Sequence, residues 1–361
     1  MRQVLPIFEV VPATDPIKDA YRFGEKIHES LPADLAIAVD VRHLVDRTEG
    51  VRRPMRDIAN DLAAWMIPML PVMHLYDSPA RLANVRYATD LHGGHTILRL
   101  GSDTRDPDDA EADDALDRLG DQAGLAIERC HLVLDVFEVR SERDLTRVEP
   151  VVRKCVSWAQ RYPWNSIAVP AAAMPESISR LPVNTPTSVQ RSDWLLWKRV
   201  ADLSVQYADY GIAHPGMAAA SWRPMPSLRY TDDEAWWIYR WPQGAIDRPA
   251  MHDLCETLVA SDHWPAAGRD FSWGDDQIAA RAAGLHGPGN ATNWRAWATS
   301  HHLAHVVDQL TRSGYIDRGF NSDVMQGGLL PRHVLAASVR HSRPPYHHTY
   351  GGWSVHCGRC D

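Results

Sequence analysis

The feature that most constrains this chain is a unit that recurs along it: a short apolar run with period-two alternation, followed by a stretch with helical periodicity. Val4–Val10 reads as a strand and Asp15–Leu31 as a helix. Leu35–Val41 is followed by Arg53–Ile67, and Leu70–Tyr76 by Ser78–Leu91. His95–Leu100 leads into an acidic helix ending near Ala126, and Cys130–Phe137 into Ser141–Arg161. Ser166–Ala172 precedes a Trp-containing helical region ending near Leu203, and Val205–Tyr210 follows. Leu228–Tyr230 and Trp236–Trp241 close the series before a helix over Pro249–Ala260. Strands alternating with helices imply a parallel sheet covered by helices.

The number and spacing of these units favour an α/β fold of the (β/α)8 TIM-like barrel type over residues 1–286. The alternative is a doubly wound open sheet, but no strand leads into a glycine-rich dinucleotide fingerprint. Gly287-Pro-Gly-Asn290 then breaks the chain before a C-terminal helix within 287–316 that packs on the barrel. Residues 317–361, rich in Gly, Pro, His and Arg without a clear period, read as an irregular tail or lid.

Composition narrows the class. A chain of 361 residues that is 45% hydrophobic and 23% charged reads as a globular protein that is not embedded in a membrane. A formal net charge of -8 argues against general nucleic-acid binding, which needs a basic stripe to neutralise phosphates. The N-terminus lacks the apolar core of a signal peptide, and the longest apolar-looking stretch, Leu62 to Tyr76, is too short and too interrupted by proline to span a membrane. Three isolated cysteines (Cys130, Cys155, Cys255) and one close pair point to reduced thiols and a cytoplasmic location.

In a barrel the side chains that reach the active mouth come from the C-terminal ends of the strands. Here those ends are polar: Glu9, then Asp40 and Arg42, then His74 and Tyr76, then Arg99, Asp135, the adjacent Asp209 and Tyr210, and finally Arg229 and Tyr230. Leu35–Val41 shows the logic, since Ala36, Ala38 and Asp40 share one face of the strand while Ile37, Val39 and Val41 share the other. Asp40, Asp135, Asp209 and Tyr210 are the catalytic candidates, as carboxylates and a phenol suited to acid/base work. Glu9, Arg42, His74, Tyr76, Arg99, Arg229 and Tyr230 are the substrate-binding candidates, with Arg42 and Arg99 as clamps for an anion. A buried network that pairs these charges and closes the top of the barrel is the competing reading.

Other constellations are weaker. Asp209, Tyr210 and His214 could serve as acid, donor and base on the turn at Gly211. His301 and His305 have the i,i+4 spacing of metal ligands but lack the glutamate of a zinc-protease motif, so packing of that helix face on the barrel is favoured. The acidic block from Asp103 to Asp117 reads as a solvated helix face. Small residues over Ser166–Pro175 either leave room for a ligand or allow close helix packing. Trp194, Trp197, Trp222, Trp236, Trp237 and Trp241 could line a partner surface or fill a core. In the tail Cys357 and Cys360, with His356, are the possible zinc ligands.

LPIFEVVP, AVDVRHL, PVMHLYDS, LRLG, LVLDVFEV, YADYG and LRYTDDEAWWIYRW together resemble the phage-type "beta protein" family over roughly residues 3–315. The resemblance implies a barrel-like fold and a phage or phage-defence setting. It supplies no reaction and no catalytic residue. The expectation is therefore a barrel protein that binds a small anionic or zwitterionic ligand, or a chain end, at its polar mouth, with hydrolase or lyase-type acid/base chemistry open. The rival is a non-catalytic scaffold engaging a partner protein through the Trp-rich second half and the tail. Fold alone does not choose between them.

Overall fold

The computed structural model describes residues 4–13, 15–32, 35–45, 52–101, 110–216, 225–244, 248–316 and 334–337. In chain order the elements begin β1 (Val4–Glu9), α1 (Pro16–Ser30), β2 (Ile37–Asp40), α2 (Pro54–Ala64), β3 (Met69–His74), α3 (Pro79–Leu91), β4 (Thr96–Leu100) and α4 (Ala110–Ala123). They continue β5 (Cys130–Leu134), β6 (Phe137–Glu138), α5 (Glu142–Ala159), β7 (Ser166–Ala172), β8 (Thr187–Gln190), α6 (Ser192–Val200) and β9 (Gln206–Asp209). Last come β10 (Ser227–Thr231), β11 (Ala235–Arg240), α7 (Ala250–Val259), α8 (Trp273–Ala282), α9 (Ala291–Arg312) and β12 (Val334–Ala337).

Local chemistry sets the helix starts. Proline stands in the first turn of α1, α2 and α3, where a missing N–H costs nothing. The Asp15 carboxylate caps α1 by accepting from the Ile17 and Lys18 N–H groups, and Ser78 and Ser141 cap α3 and α5. Asn290 and Asn293 form a reciprocal capping box on α9.

The fold is mixed α/β with a curled parallel sheet. β1 to β5 pair in sequence order, β5 pairs with β7, and β7 with β9. The backbone of β12 pairs in parallel with both β9 and β1. A regular strand thus stands inside the segment read as an irregular tail. Alternation sorts the side chains. Leu5, Ile7, Ala38, Leu70, Val72, Ile97, Val133, Ala168 and Ala208 form a buried cluster on the inner, concave face. Phe8, Val39, Met73, Leu98, Leu132 and Val169 face outward into the core shared with the helices. Complete burial of each large aliphatic is worth about 1.5–3 kcal/mol, which ties each strand to its layer.

The reading of Leu228–Tyr230 and Trp236–Trp241 as the eighth strand region of the barrel is corrected. β10 and β11 are an antiparallel hairpin, extended by β8, in a separate three-stranded sheet. The short Asp232–Glu234 connection allows nothing else, because parallel neighbours need a long crossover. This sheet and α7, α8 and α9 enclose a second core around Tyr230, Trp236, Tyr239, Met251, Leu254, Trp294 and Trp297. α8 was not foreseen; its Ser272 cap and the close seat of Gly274 on the Trp297 backbone anchor it to α9.

Candidate functional site

The polar strand ends form the layer directly above the inner apolar cluster. Glu9 follows Leu5 and Ile7 on the same face of β1, Asp40 follows Ala38, His74 follows Leu70 and Val72, and Arg99 follows Ile97. Asp135 follows Val133, and Tyr210 follows Ala208, by the same two-residue step. Register places Glu9 beside Asp40 and His74 beside Arg99. All six side chains are buried.

Arg99 is the centre of this layer. Its Nε and Nη2 donate to Asp135 Oδ2 at 2.9 and 2.7 Å, and Nη1 donates to Glu9 Oε1 at 2.7 Å and Asp40 Oδ2 at 3.1 Å. Nη2 also donates to the Tyr210 hydroxyl at 2.7 Å, and that hydroxyl donates to Asp135 Oδ2 at 2.5 Å. All five guanidinium N–H groups are thereby committed. Burial disfavours the charged guanidinium, but Asp135, Asp40 and Glu9 outweigh it and push the Arg99 pKa well up. Burial and the Asp135 carboxylate push the Tyr210 phenol well above its ordinary value, so it remains a neutral donor. Arg99 therefore has no donor left for a substrate anion, and its assignment as an anion clamp is corrected to that of a buried cross-brace.

His74 and Asp40 form a dyad inside the layer. His74 Nε2 lies 3.2 and 3.1 Å from the two Asp40 oxygens, and the Arg42 backbone N–H donates to Asp40 Oδ1 at 2.9 Å. Burial would raise the Asp40 carboxyl, but His74 and Arg99 overcome it and hold the group well below the usual carboxylate range. An ionised Asp40 can only accept, so Nε2 is the protonated nitrogen. The His74 backbone N–H is held in turn by Asp77 Oδ2 at 2.9 Å. His74 Nδ1 is buried and, among the described residues, has no hydrogen-bond partner. Glu9 carries a further contact from His43 Nε2 at 3.1 Å. Tyr76 is half-exposed on the loop after β3, beside this layer.

Asp209 does not join Tyr210. Neighbours on a strand point to opposite faces, and Asp209 shares the outer face with Tyr207. It accepts from the Tyr207 hydroxyl at 2.5 Å and pairs with His302 of α9 at 3.0 Å. Burial would raise it, but His302 and Tyr207 hold it down at about 2. Around it Arg191 donates to the Tyr207 hydroxyl and to Gln309 at 3.0 and 2.9 Å, a buried joint between α6, β9 and α9 that sequence reasoning missed. His214 also stands apart from Asp209, with Nε2 2.8 Å from Glu138 Oε1.

Arg229 and Tyr230 stand on β10, in the three-stranded sheet and not on a strand of the parallel sheet. Arg229 donates to the Ile212 carbonyl at 2.9 Å and Tyr230 to Asp275 Oδ1 at 2.6 Å. His301 faces Asp275 and the Thr231 carbonyl, and His305 pairs with Asp233. Among the described residues no group of three or more His, Cys, Asp or Glu is arranged to hold a metal ion. Trp194, Trp197, Trp236 and Trp241 are core residues, which removes most of the aromatic surface on which the scaffold reading relied; Trp222 lies outside the described residues. Cys357, Cys360 and His356, the expected zinc ligands, also lie outside them.

The fold and this layer define a class: a parallel α/β protein whose strand ends enclose a buried arginine, carboxylate and histidine network. The chain belongs to the Beta protein family, whose model matches residues 1–308. No curated protein matches it. Among solved structures it is similar to a dihydropteroate synthase from Stenotrophomonas maltophilia with active site-bound imidazole. That similarity has 12% sequence identity and a TM-score of 0.33, and covers 88% of this chain and 94% of that one. Among the described residues no helix is long and apolar enough to cross a membrane.

Proposed function

We propose that the curled sheet is a (β/α)8-type barrel whose mouth binds a small zwitterionic ligand or chain end, and that His74 exchanges a proton with it in hydrolase or lyase-type chemistry. The observation that carries this reading is the Asp40–His74 dyad with its bare Nδ1. Asp40 fixes the ring and its protonated nitrogen, as an orienting carboxylate does for a general base. A buried polar nitrogen left without a hydrogen-bond partner costs about 1–3 kcal/mol, a cost that a ligand group at Nδ1 would remove. Asp40, held ionised, orients rather than transfers the proton. Asp135 and Tyr210 line the same layer, and Arg42 is the remaining candidate for the ligand's anionic group.

A phage or phage-defence setting belongs to this proposal and rests on the family resemblance. A cytoplasmic location does too, supported by the buried positions of Cys130, Cys155 and Cys255. The test is turnover by purified full-length protein across ester, amide, phosphoester and β-elimination substrates, with Asp40→Asn and His74→Gln alongside. General-base catalysis is worth about 10²–10⁴-fold, so both variants should lose that much when assayed well below their melting points, which loss of a buried pairing will lower. Equal turnover by the His74→Gln variant would sink the reading.

A further inference from the structure

Phe137 sits directly beside this layer and has no role in the dyad. Its backbone is left-handed, with φ +68°, and 39% of the residue is exposed. A bulky side chain in that conformation is strained, and glycine would avoid the strain. Its neighbourhood enforces the geometry. The Phe137 N–H donates to Asp135 Oδ1 at 2.9 Å, the Val136 N–H to the Pro170 carbonyl at 3.0 Å, and the Val139 N–H to the Ala172 carbonyl at 2.8 Å. The carboxylate that receives Arg99 and Tyr210 on one oxygen thus pins Phe137 with the other.

The Phe137 ring stands nearly perpendicular to the rings of Tyr210 and His214, with centroids 6.4 and 6.2 Å away. Among the described residues no ring stacks parallel to it. Glu138, next in the chain, faces His214 and is also paired with Arg140. Half of the Arg140 side chain is exposed, and ion pairs at such positions are weak. Burial is outweighed at Glu138 by Arg140 and His214, which hold it below its ordinary value and therefore ionised.

We propose that Phe137, Tyr210, His214 and Glu138 form a recognition subsite of the mouth that takes a planar aromatic ring carrying an amidinium or amino group. Phe137 offers its face to the ring and Glu138 its carboxylate to the cation. This rests on the reading of the strand ends as a ligand site, and it names the ligand class that reading leaves open.

Benzamidine is the probe, titrated calorimetrically into the full chain, with benzoate and cyclohexanecarboxamidine as the charge-reversed and ring-free controls. Base-like stacking is worth about 1–3 kcal/mol, so Phe137→Gly should weaken benzamidine at least about five-fold, and cyclohexanecarboxamidine should bind the parent correspondingly less well. Glu138→Gln should weaken benzamidine and leave benzoate no worse. Phe137→Gly suits the native φ, so it should melt no lower than the parent, and Phe137→Leu supplies a second variant with apolar bulk but no π face. Absence of benzamidine binding to the parent, or equal binding to Phe137→Gly, overturns the subsite. The dyad is tested separately: His74→Gln should lose turnover about 10²–10⁴-fold while keeping benzamidine affinity, so either idea can fail alone.

Discussion

Replacing Arg99 by methionine removes the one guanidinium that Glu9, Asp40, Asp135 and Tyr210 share, and keeps most of its volume. Removing one partner of a buried ion pair costs about 3–5 kcal/mol, because the abandoned charge stays out of water. We take about 4 kcal/mol; for a chain of 361 residues each kcal/mol lowers Tm by about 1–2 °C, so the expected drop is roughly 4–8 °C. The loss should depend on pH in a fixed direction. In the parent the Asp40 pKa lies below its unfolded value, so its stabilising contribution is complete above about pH 4 and fades as pH falls through the folded value. Without Arg99 the Asp40 carboxylate loses one of the cations that hold it down and binds a proton at higher pH, which relieves the repulsion within the layer. The gap between parent and variant should therefore be widest near neutrality and narrow on acidification towards pH 4. Urea unfolding of both proteins at pH 7 and pH 4.5 measures this directly. A loss below about 1 kcal/mol at pH 7, or a gap equal at both pH values, would refute the claim that ionised carboxylates depend on this guanidinium.

Two further outcomes follow from the same geometry. Gly101 has φ +95°, and a Cβ there would lie 2.2 Å from the Asp135 carbonyl oxygen, so Gly101→Ala should cost more than about 2 kcal/mol in denaturant unfolding; a neutral result would mean that the Asp135 turn yields readily. Asp209, held at about 2, contributes stability that is complete above its unfolded value near 4 and is lost as pH falls towards 2, so Asp209→Asn should destabilise most at neutral pH and progressively less in acid, as read from Tm across that range.

Much of this architecture is legible in the chain because period-two alternation is local. It assigns Ala38 and Asp40 to one face and Val39 to the other without any partner strand. Glu9, His74, Arg99, Asp135 and Tyr210 gather for the same reason, each one step beyond an inward apolar residue at a strand end. The same rule separates Asp209 from Tyr210, a consequence that grouping the two as catalytic candidates overlooked. Hairpin geometry likewise makes β10 and β11 antiparallel through the short Asp232–Glu234 turn.

What lay beyond the reach of local pattern depended on which segments meet. The β12 backbone reaches β1 and β9 from far along the chain, and no periodicity announces such a pairing. Whether Arg99 would clamp a substrate or brace its neighbours turned on distance, since a guanidinium binds a ligand only through donors that the protein has not already taken. The positive φ of Phe137 arises from Asp135, Pro170 and Ala172 acting together, against that residue's own preference. Composition and alternation select the layers; the long-range contacts settle which charges are spent on the fold and which groups, His74 Nδ1 and the face of Phe137, stay without a partner among the described residues.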